Sequence, residues 1–275
     1  MSQPGTIAPL RFAFGLLSVL PVGAVELPVD TSTRERFTRR VVLNFPVVGA
    51  VLAGITVVTM FGVRWLWWDW PLIGLLFVAI GAFLTRGLHL DGLADTVDGL
   101  AVSPTFAPDP ERARKVMKEP HIGALAAVAL FINLGIQALA MHTVVNQHHG
   151  SMSVTLSVVG ARIALVWGCA LPAPISAGSS LGSLVAGTVR WPAAFAWTTA
   201  LTIFAVIYGR YFDQDHTFRL GILGVLAVIA GQMAAVVLHR RAVGRLGGVS
   251  GDLMGAMGEV AMTVTLLVMA IDWPH

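Results

Sequence analysis

The sequence predicts an all-α fold: a polytopic integral membrane helical bundle with seven or eight transmembrane segments. The first observation behind this prediction is composition, because only 12% of the 275 residues are charged and 56% are hydrophobic, whereas a soluble domain has about 25% charged residues. The second is that apolar runs of spanning length recur along the whole chain. We therefore expect residues 1–275 to form a single membrane-embedded domain.

The apolar runs define seven segments that we expect to span the membrane. They are residues 41–62, 70–90, 121–145, 152–170, 192–208, 217–239 and 255–272. An eighth apolar run, 8–25, contains Arg11 and Pro21, so it spans, re-enters or lies on the surface. After the second segment, Asp109 and Pro110 predict the start of a short helix, which we expect Pro120 to end.

Lysine and arginine are distributed unequally between the two sides of this bundle. If each of the seven segments crosses once, the loops at 26–40, 85–120, 171–191 and 239–254 share one side and hold 13 of the 18 Lys and Arg residues, whereas the opposite loops hold 3. The positive-inside rule places the richer side in the cytoplasm. The basic balance therefore predicts the orientation of a multi-pass protein in the cell membrane, with lipid and not nucleic acid as its partner.

Three carboxylates follow the second predicted segment, in the stretch GLHLDGLADTVDGL. Asp91, Asp95 and Asp98 are spaced i, i+4, i+7, so on a helix they lie on one narrow stripe at the membrane surface. Like charges at this spacing repel one another and weaken a helix, and a divalent cation removes that repulsion. Oxygen ligands without cysteine suit Mg²⁺ or Mn²⁺. The stripe therefore predicts a metal site, the alternative being a solvated acidic helix face.

A histidine and a second acidic element accompany this stripe. His89 would lie about 160° around the helix from Asp91, so we expect it to contact substrate or to be structural rather than to bind the same metal. The stretch GGVSGDLMGAMGE carries Asp252 and Glu259 at i, i+7, again on one helical stripe. Glu259 lies inside an apolar run, where an ionisable group indicates function. The alternative is a small-residue packing interface, which the glycines would also serve.

Cations near these acids predict anion binding, because phosphate recognition uses fixed positive charges. The stretch DPERARKVMKEPH carries four basic residues on the short helix. The candidates for phosphate contacts are Arg112, Lys115, Lys118 and His121. An orientation signal or an anionic-lipid contact is the alternative for this helix. Arg162 lies inside a predicted span, so it must pair either with a carboxylate such as Glu259 or with a substrate phosphate.

Acids for a metal and cations for phosphates indicate metal-assisted phosphoryl transfer. The sequence has no GxxxxGK[ST] loop, which argues against a P-loop ATPase.

Four stretches together resemble the cobalamin synthase family, the adenosylcobinamide-GDP ribazoletransferases, which are integral membrane proteins. They are NFPVVGAVLAG, GLHLDGLADTVDGL, VMKEPHIGALAAVAL and GGVSGDLMGAMGE, which occur in this order.

The resemblance implies a reaction and a cofactor. A ribose hydroxyl of α-ribazole, or of its 5′-phosphate, would attack the phosphorus beside the aminopropanol arm of adenosylcobinamide-GDP, and GMP would leave. Mg²⁺ is the implied cofactor, held by the three aspartates of the α-helical stripe. Asp252 or Glu259 would complete the site or accept the hydroxyl proton. The implied product is adenosylcobalamin or its 5′-phosphate.

Two other functions stay open at this point. The DGxAD…D spacing looks like part of the signature of CDP-alcohol phosphotransferases, although that signature continues to later aspartates which this chain lacks after Asp98. A cation-coupled transporter is the other alternative, but its ionisable groups are expected near the middle of the membrane. The sequence also leaves open whether the chain forms a homo-oligomer.

Overall fold

The computed structural model describes residues 7–64, 70–212 and 218–272, and helices dominate this part of the chain. In chain order the helices are α1 (Ala8–Leu17), α2 (Thr31–Leu43), α3 (Phe45–Arg64), α4 (Trp70–Thr85), α5 (Leu88–Val102), α6 (Pro110–Val116), α7 (Ala124–Asn146), α8 (Gly150–Ala170), α9 (Ser180–Val185), α10 (Trp191–Phe212), α11 (Arg219–Leu246) and α12 (Gly251–Met269). Outside them, the described residues form one isolated β-bridge and no strand. The all-α prediction is therefore confirmed.

Six stretches of the described residues are long and apolar enough to cross a membrane, or seven if the bent pair α4–α5 is one span. The first is α2 and α3 together, Thr31–Val63, and the others are α7, α8, α10, α11 and α12. Each overlaps one of the predicted segments, so the chain is a multi-pass helical bundle. Helix α1 has 10 residues, which is about 15 Å at 1.5 Å per residue. The helix that the eighth apolar run forms is therefore too short to cross the membrane.

The predicted segment 70–90 ends earlier than the hydropathy indicates. Helix α4 stops at Thr85, and the next two residues have positive φ angles, 57° at Arg86 and 66° at Gly87. The Gly87 amide donates to the Ala82 carbonyl at 2.8 Å, which closes the end of α4. Helix α5 then leaves at 92° to α4. The carboxylate stripe therefore lies on a separate helix after the apolar segment, not on its continuation.

The core of the bundle is α8, which packs against α3, α10, α11 and α12. Of its most apolar window, 89% is buried within the protein, whereas the figures for α7 and α10 are 28% and 22%. Helices α7 and α10 therefore present most of their apolar surface outwards, as lipid-facing spans do. Helix α12 lies between α8, α11 and α5, so it connects the core to the carboxylate helix.

The predicted same-side loops meet at one end of the bundle. Ile175 pairs with Val249 in the isolated bridge, which joins the loop after α8 to the loop after α11. Ser103 donates to the Arg245 carbonyl at 2.7 Å, which joins the end of α5 to the end of α11. Helix α2 contacts α9 at this same end. The structure therefore gathers the arginine-rich loops around α5.

The short helix α6 begins as predicted but ends sooner. The Asp109 carboxylate accepts a hydrogen bond from the Arg112 amide at 3.0 Å, so Asp109 is the N-cap. The helix ends at Val116, and the following residues form turns up to Glu119. The prediction that Pro120 ends the helix is therefore wrong by one turn, because a proline disfavours helical geometry in the residue before it and the chain unwinds earlier.

Candidate functional site

A close crossing of α5 and α12 brings the two acidic elements together. A β-carbon at Gly92 would lie 2.7 Å from the carbonyl oxygen of Asp252 and 2.9 Å from its α-carbon. A β-carbon at Gly255 would lie 3.2 Å from the α-carbon of His89. Because a larger side chain at Gly92 meets backbone, the glycines determine how closely the helices approach. The crossing places Asp252 beside the carboxylate stripe.

Four carboxylates therefore share this region. Helix α5 is continuous through all three stripe positions, so the predicted stripe is formed. Asp95 is half-buried, and its carboxylate is repelled by Asp252, Asp91 and Asp98. Asp91 is exposed. The stripe thus has one exposed carboxylate and two half-buried ones, and Asp252 of α12 is the fourth acid.

The oxygen donors fit a hard divalent cation. As the side chains stand, no three His, Cys, Asp or Glu residues within the described ranges could hold one metal ion between them. Mg²⁺ in proteins is bound through one or two carboxylates, with waters and substrate phosphates completing its shell. Asp95 and Asp252, whose carboxylates repel each other, supply that number of carboxylates. The donor set therefore suits a Mg²⁺ that a phosphate substrate helps to bind.

Asp98 has an additional task that the sequence did not reveal. Its carboxylate accepts a hydrogen bond at 2.7 Å from the backbone amide of Gly123, the residue before α7. Carboxylates at a helix N-terminus are stabilised by the free amides there. Asp98 therefore joins α5 to the start of α7, with one of its two oxygens engaged.

The end of α5 is anchored by Arg245 of α11. Its Nε donates to the Ser103 carbonyl and its Nη2 donates to the Leu100 carbonyl, both at 2.6 Å. These carbonyls lie at the helix C-terminus, where a cation is favourable. The fork-shaped guanidinium can satisfy both at once. Arg245 therefore fixes the direction in which α5 carries its carboxylates.

Glu259 lies away from the other acids. It is seven residues beyond Asp252, about 10 Å along α12 at 1.5 Å per residue. Its side chain is 5% exposed and accepts hydrogen bonds from Asn133 at 3.0 Å and Gln137 at 2.9 Å, both on α7. The structure thus places Asp252 with the stripe and Glu259 in a buried polar network between α12 and α7.

Arg162 and His89 border that network. With Glu259 they line a small buried cavity of about 30 Å³, enough for a bound water. The Nε atom of Arg162 and the Nε2 atom of His89 are buried without a hydrogen-bond partner in the described part of the chain. Arg162 also donates to the Val158 carbonyl at 3.4 Å and is attracted electrostatically by Glu259. The alternative in which Arg162 is balanced by Glu259 therefore agrees with the structure.

A larger cavity of about 310 Å³ opens beside the helix crossing. Asp252 and His89 line one wall, and two cations, Arg114 and Lys118, line another. The third wall is a loop of small polar residues, Ser176–Leu181. The volume is at the lower end of the range for ligand sites. The cavity therefore combines an acid that neighbours the stripe with cations suited to phosphate.

The serine loop is held in place by the bridge to the α11–α12 loop. The Val249 amide donates to the Pro174 carbonyl at 2.8 Å, and the Ser176 amide donates to the Val249 carbonyl at 3.0 Å. Ser179 then caps α9 by accepting from the Gly182 amide at 3.0 Å. This wall was not predicted, although the glycine- and serine-rich stretch ISAGSSLGS, in a loop on the same side of the membrane as the carboxylate stripe, is a signal for it.

The structure sorts the predicted basic residues. Lys118 lines the cavity, whereas Arg112, Lys115 and His121 are exposed and do not line it. The reason is that Ala113 is fully buried against α11 and α12, which fixes the orientation of α6. Arg114 of α6, about 100° around the helix from Ala113, and Lys118, in the turn after α6, then line the cavity. Arg114, which the sequence analysis did not select, therefore takes the place expected for Arg112 and Lys115.

Comparison with known proteins gives a consistent family. The chain matches the cobalamin-5-phosphate synthase family over residues 9–270. It is 34% identical over 271 residues to the adenosylcobinamide-GDP ribazoletransferase of Frankia casuarinae, covering 96% of this chain and 95% of that protein. The protein of the same name from Nocardioides sp. is 34% identical over 260 residues, with 94% and 97% covered. No solved structure gives a significant match.

Proposed function

The chain belongs to the cobalamin-5-phosphate synthase family, and on that premise we propose that it is an adenosylcobinamide-GDP ribazoletransferase. It would join the corrinoid phosphate of adenosylcobinamide-GDP to a ribose hydroxyl of α-ribazole or its 5′-phosphate. The observation that supports this most is the meeting of the α5 carboxylates with Asp252 beside a cavity that carries Arg114 and Lys118. Acids and cations around one cavity suit a diphosphate substrate.

The reaction exchanges one phosphorus–oxygen bond for another. The ribazole hydroxyl forms a bond to the corrinoid phosphorus, and the bond from that phosphorus to the oxygen bridging to GMP breaks. GMP leaves with the electron pair of this bond, and the hydroxyl proton passes to a base or to solvent. Two negative phosphates oppose the approach of the hydroxyl, so the protein must neutralise charge and align the reacting groups.

We propose that Asp95 and Asp252 hold Mg²⁺, with Asp91 and Asp98 as the neighbouring carboxylates that strengthen the site. When bound, the ion would neutralise charge on the diphosphate. Asp91 is exposed and is free to reach the ion, whereas Asp98 also holds Gly123. Repulsion among the four acids favours a bound cation.

The cavity walls would hold the rest of the diphosphate. Arg114 and Lys118 supply positive charge, and Ser176 and Ser180 supply hydroxyl donors. His89 lines the same cavity and presents a ring to the substrate. Glu259 is engaged by two amides of α7, so we assign it to positioning α12 rather than to accepting the hydroxyl proton.

We place this site on the cytoplasmic side of the cell membrane. The arginine-rich loops gather around α5 at the same end as the cavity. The positive-inside rule assigns that end to the cytoplasm. The alternative of a transporter fits less well, because the four carboxylates lie at one end of the bundle rather than midway along the spans.

The direct test is release of GMP from adenosylcobinamide-GDP by purified membranes that contain the protein. We expect release only when α-ribazole or its 5′-phosphate is added, because the hydroxyl is the acceptor. CDP-diacylglycerol with a lipid alcohol should give no release of CMP. Turnover of the lipid substrate without turnover of the corrinoid would contradict the proposal and support the CDP-alcohol phosphotransferase alternative.

A further inference from the structure

A second and larger cavity lies on the other side of α9. It has a volume of about 720 Å³ and lies between the first turns of α2 and residues 183–188. Helix α9 separates the two cavities, because Ser180 and Leu181 line the site while Ser183 and Leu184 line the second cavity. The proposed transfer assigns no role to this second cavity.

The lining of the second cavity is strongly basic. It contains Arg34, Arg36 and Arg39 from α2 and one carboxylate, Glu35, among the residues that the structure describes. All three arginines are exposed. Arg36 acts electrostatically on Asp30, but within 7–64, 70–212 and 218–272 none of the three forms a salt bridge. Three positive charges and one negative charge therefore line this cavity, and Asp30, just before α2, is a second acid near Arg36.

We propose that this cavity binds a phosphate-bearing anion. Guanidinium groups match phosphate oxygens in both charge and geometry. The volume is within the range of small-ligand sites, about 300–1,000 Å³. Inorganic phosphate, a soluble nucleotide and an anionic lipid headgroup all carry the recognised group.

The position of the arginines brings lipid headgroups within reach. Helices α2 and α3 form one candidate span, Thr31–Val63, and the arginines lie in its polar first turns. They therefore stand where the span leaves the membrane, and clusters of arginine at this depth attract anionic lipids. A soluble phosphate compound would reach the same cavity from the solvent side.

The test compares two sources of phosphate with full-length protein. In one arm, nanodiscs contain equal amounts of phosphatidylglycerol and phosphatidylcholine, and the lipid that remains bound after detergent extraction is measured by native mass spectrometry. In the other arm, binding of inorganic phosphate and of GMP is measured by equilibrium dialysis in phosphatidylcholine nanodiscs. The variant is Arg34→Gln/Arg39→Gln, and the control is Arg240→Gln/Arg241→Gln, which removes two exposed arginines from α11.

If the ligand is a lipid headgroup, wild type will retain phosphatidylglycerol in preference to phosphatidylcholine. In the variant this preference will fall by about fivefold or more, since each arginine near the surface contributes about this factor. If the ligand is soluble, the loss will appear in the dialysis arm instead. The control removes arginines that do not line the cavity, so it will keep the lipid that survives detergent extraction and will bind phosphate and GMP as wild type does. Equal binding by wild type and the Arg34/Arg39 variant in both arms, with unchanged thermal unfolding, would overturn the proposal.

Discussion

Individual carboxylates at the α5–α12 crossing differ in how the protein holds them. Asp95 is half-buried and repelled by Asp252, Asp98 accepts a hydrogen bond from Gly123, and Asp91 is exposed. Glu259 is buried and bonded to α7. These environments predict different consequences of removing each charge, although the three acids of the stripe look equivalent in the sequence.

Replacing Asp95 by asparagine should abolish turnover without unfolding the protein. Asparagine keeps the shape but removes the charge that is coupled to the other acids, so we expect GMP release to fall by about a hundredfold or more. Single-turnover GMP release at saturating Mg²⁺ measures this. The matched control is Glu111→Gln, which neutralises an exposed acid on α6. Wild-type release by Asp95→Asn would remove Asp95 from the mechanism.

The two neighbouring arginines of α6 should respond differently to the same substitution. Arg114 lines the cavity and Arg112 is exposed away from it. We expect Arg114→Gln to raise the KM for adenosylcobinamide-GDP by about tenfold or more, since a charged hydrogen bond contributes about 1.5–3 kcal/mol. Arg112→Gln should leave KM unchanged. Equal effects of the two substitutions would show that α6 is oriented differently.

At the scale of secondary structure, α5 is fixed along its length. The turn at Gly87 sets its start, Asp98 bonds to the residue before α7, and Arg245 binds the carbonyls at its end. The crossing with α12 at Gly92 determines its separation from Asp252. Repulsion between the carboxylates would push a free helix away from Asp252. Because α5 is held at several points, it keeps these like charges close together.

Adding one methyl group at the crossing should separate the two acidic elements. In Gly92→Ala the new β-carbon meets the Asp252 backbone, so we expect loss of stability of about 1–3 kcal/mol from overpacking together with reduced GMP release. Gly244→Ala is the control, because Gly244 is exposed on α11 with no neighbouring atom within 4 Å of the new carbon. It should be neutral or slightly stabilising. If Gly92→Ala and Gly244→Ala had the same unfolding temperature and the same rate of GMP release, the close crossing would be refuted.

At the scale of the whole molecule, hydropathy predicted the spans and charge predicted which loops lie together. Hydropathy did not predict the break after Thr85, since Leu88 and Leu90 continue the apolar pattern beyond this residue. The stripe on α5 followed from local spacing. Its pairing with Asp252 did not, because a contact between residues so distant in sequence depends on how α8, α11 and α12 pack.

The same distinction applies to the cavity. A charged stretch shows that cations are present, but the burial of Ala113 decides that Arg114 rather than Arg112 faces the cavity. The serine wall depends on the Ile175–Val249 bridge, which joins loops about 70 residues apart in the chain and has no periodic signal for sequence analysis to detect. Local patterns therefore predicted the elements, and tertiary packing selected the residues that line the site.

The central claim is that carboxylates from two helices form one divalent-cation site. Mn²⁺ binding to the full-length protein in nanodiscs, followed by electron paramagnetic resonance, tests it most directly. We expect Asp95→Asn and Asp252→Asn each to weaken Mn²⁺ binding by about tenfold or more, because affinity follows the number of charged ligands, while Glu259→Gln binds as wild type. Unchanged Mn²⁺ affinity in Asp252→Asn would contradict the claim that α12 contributes to the site.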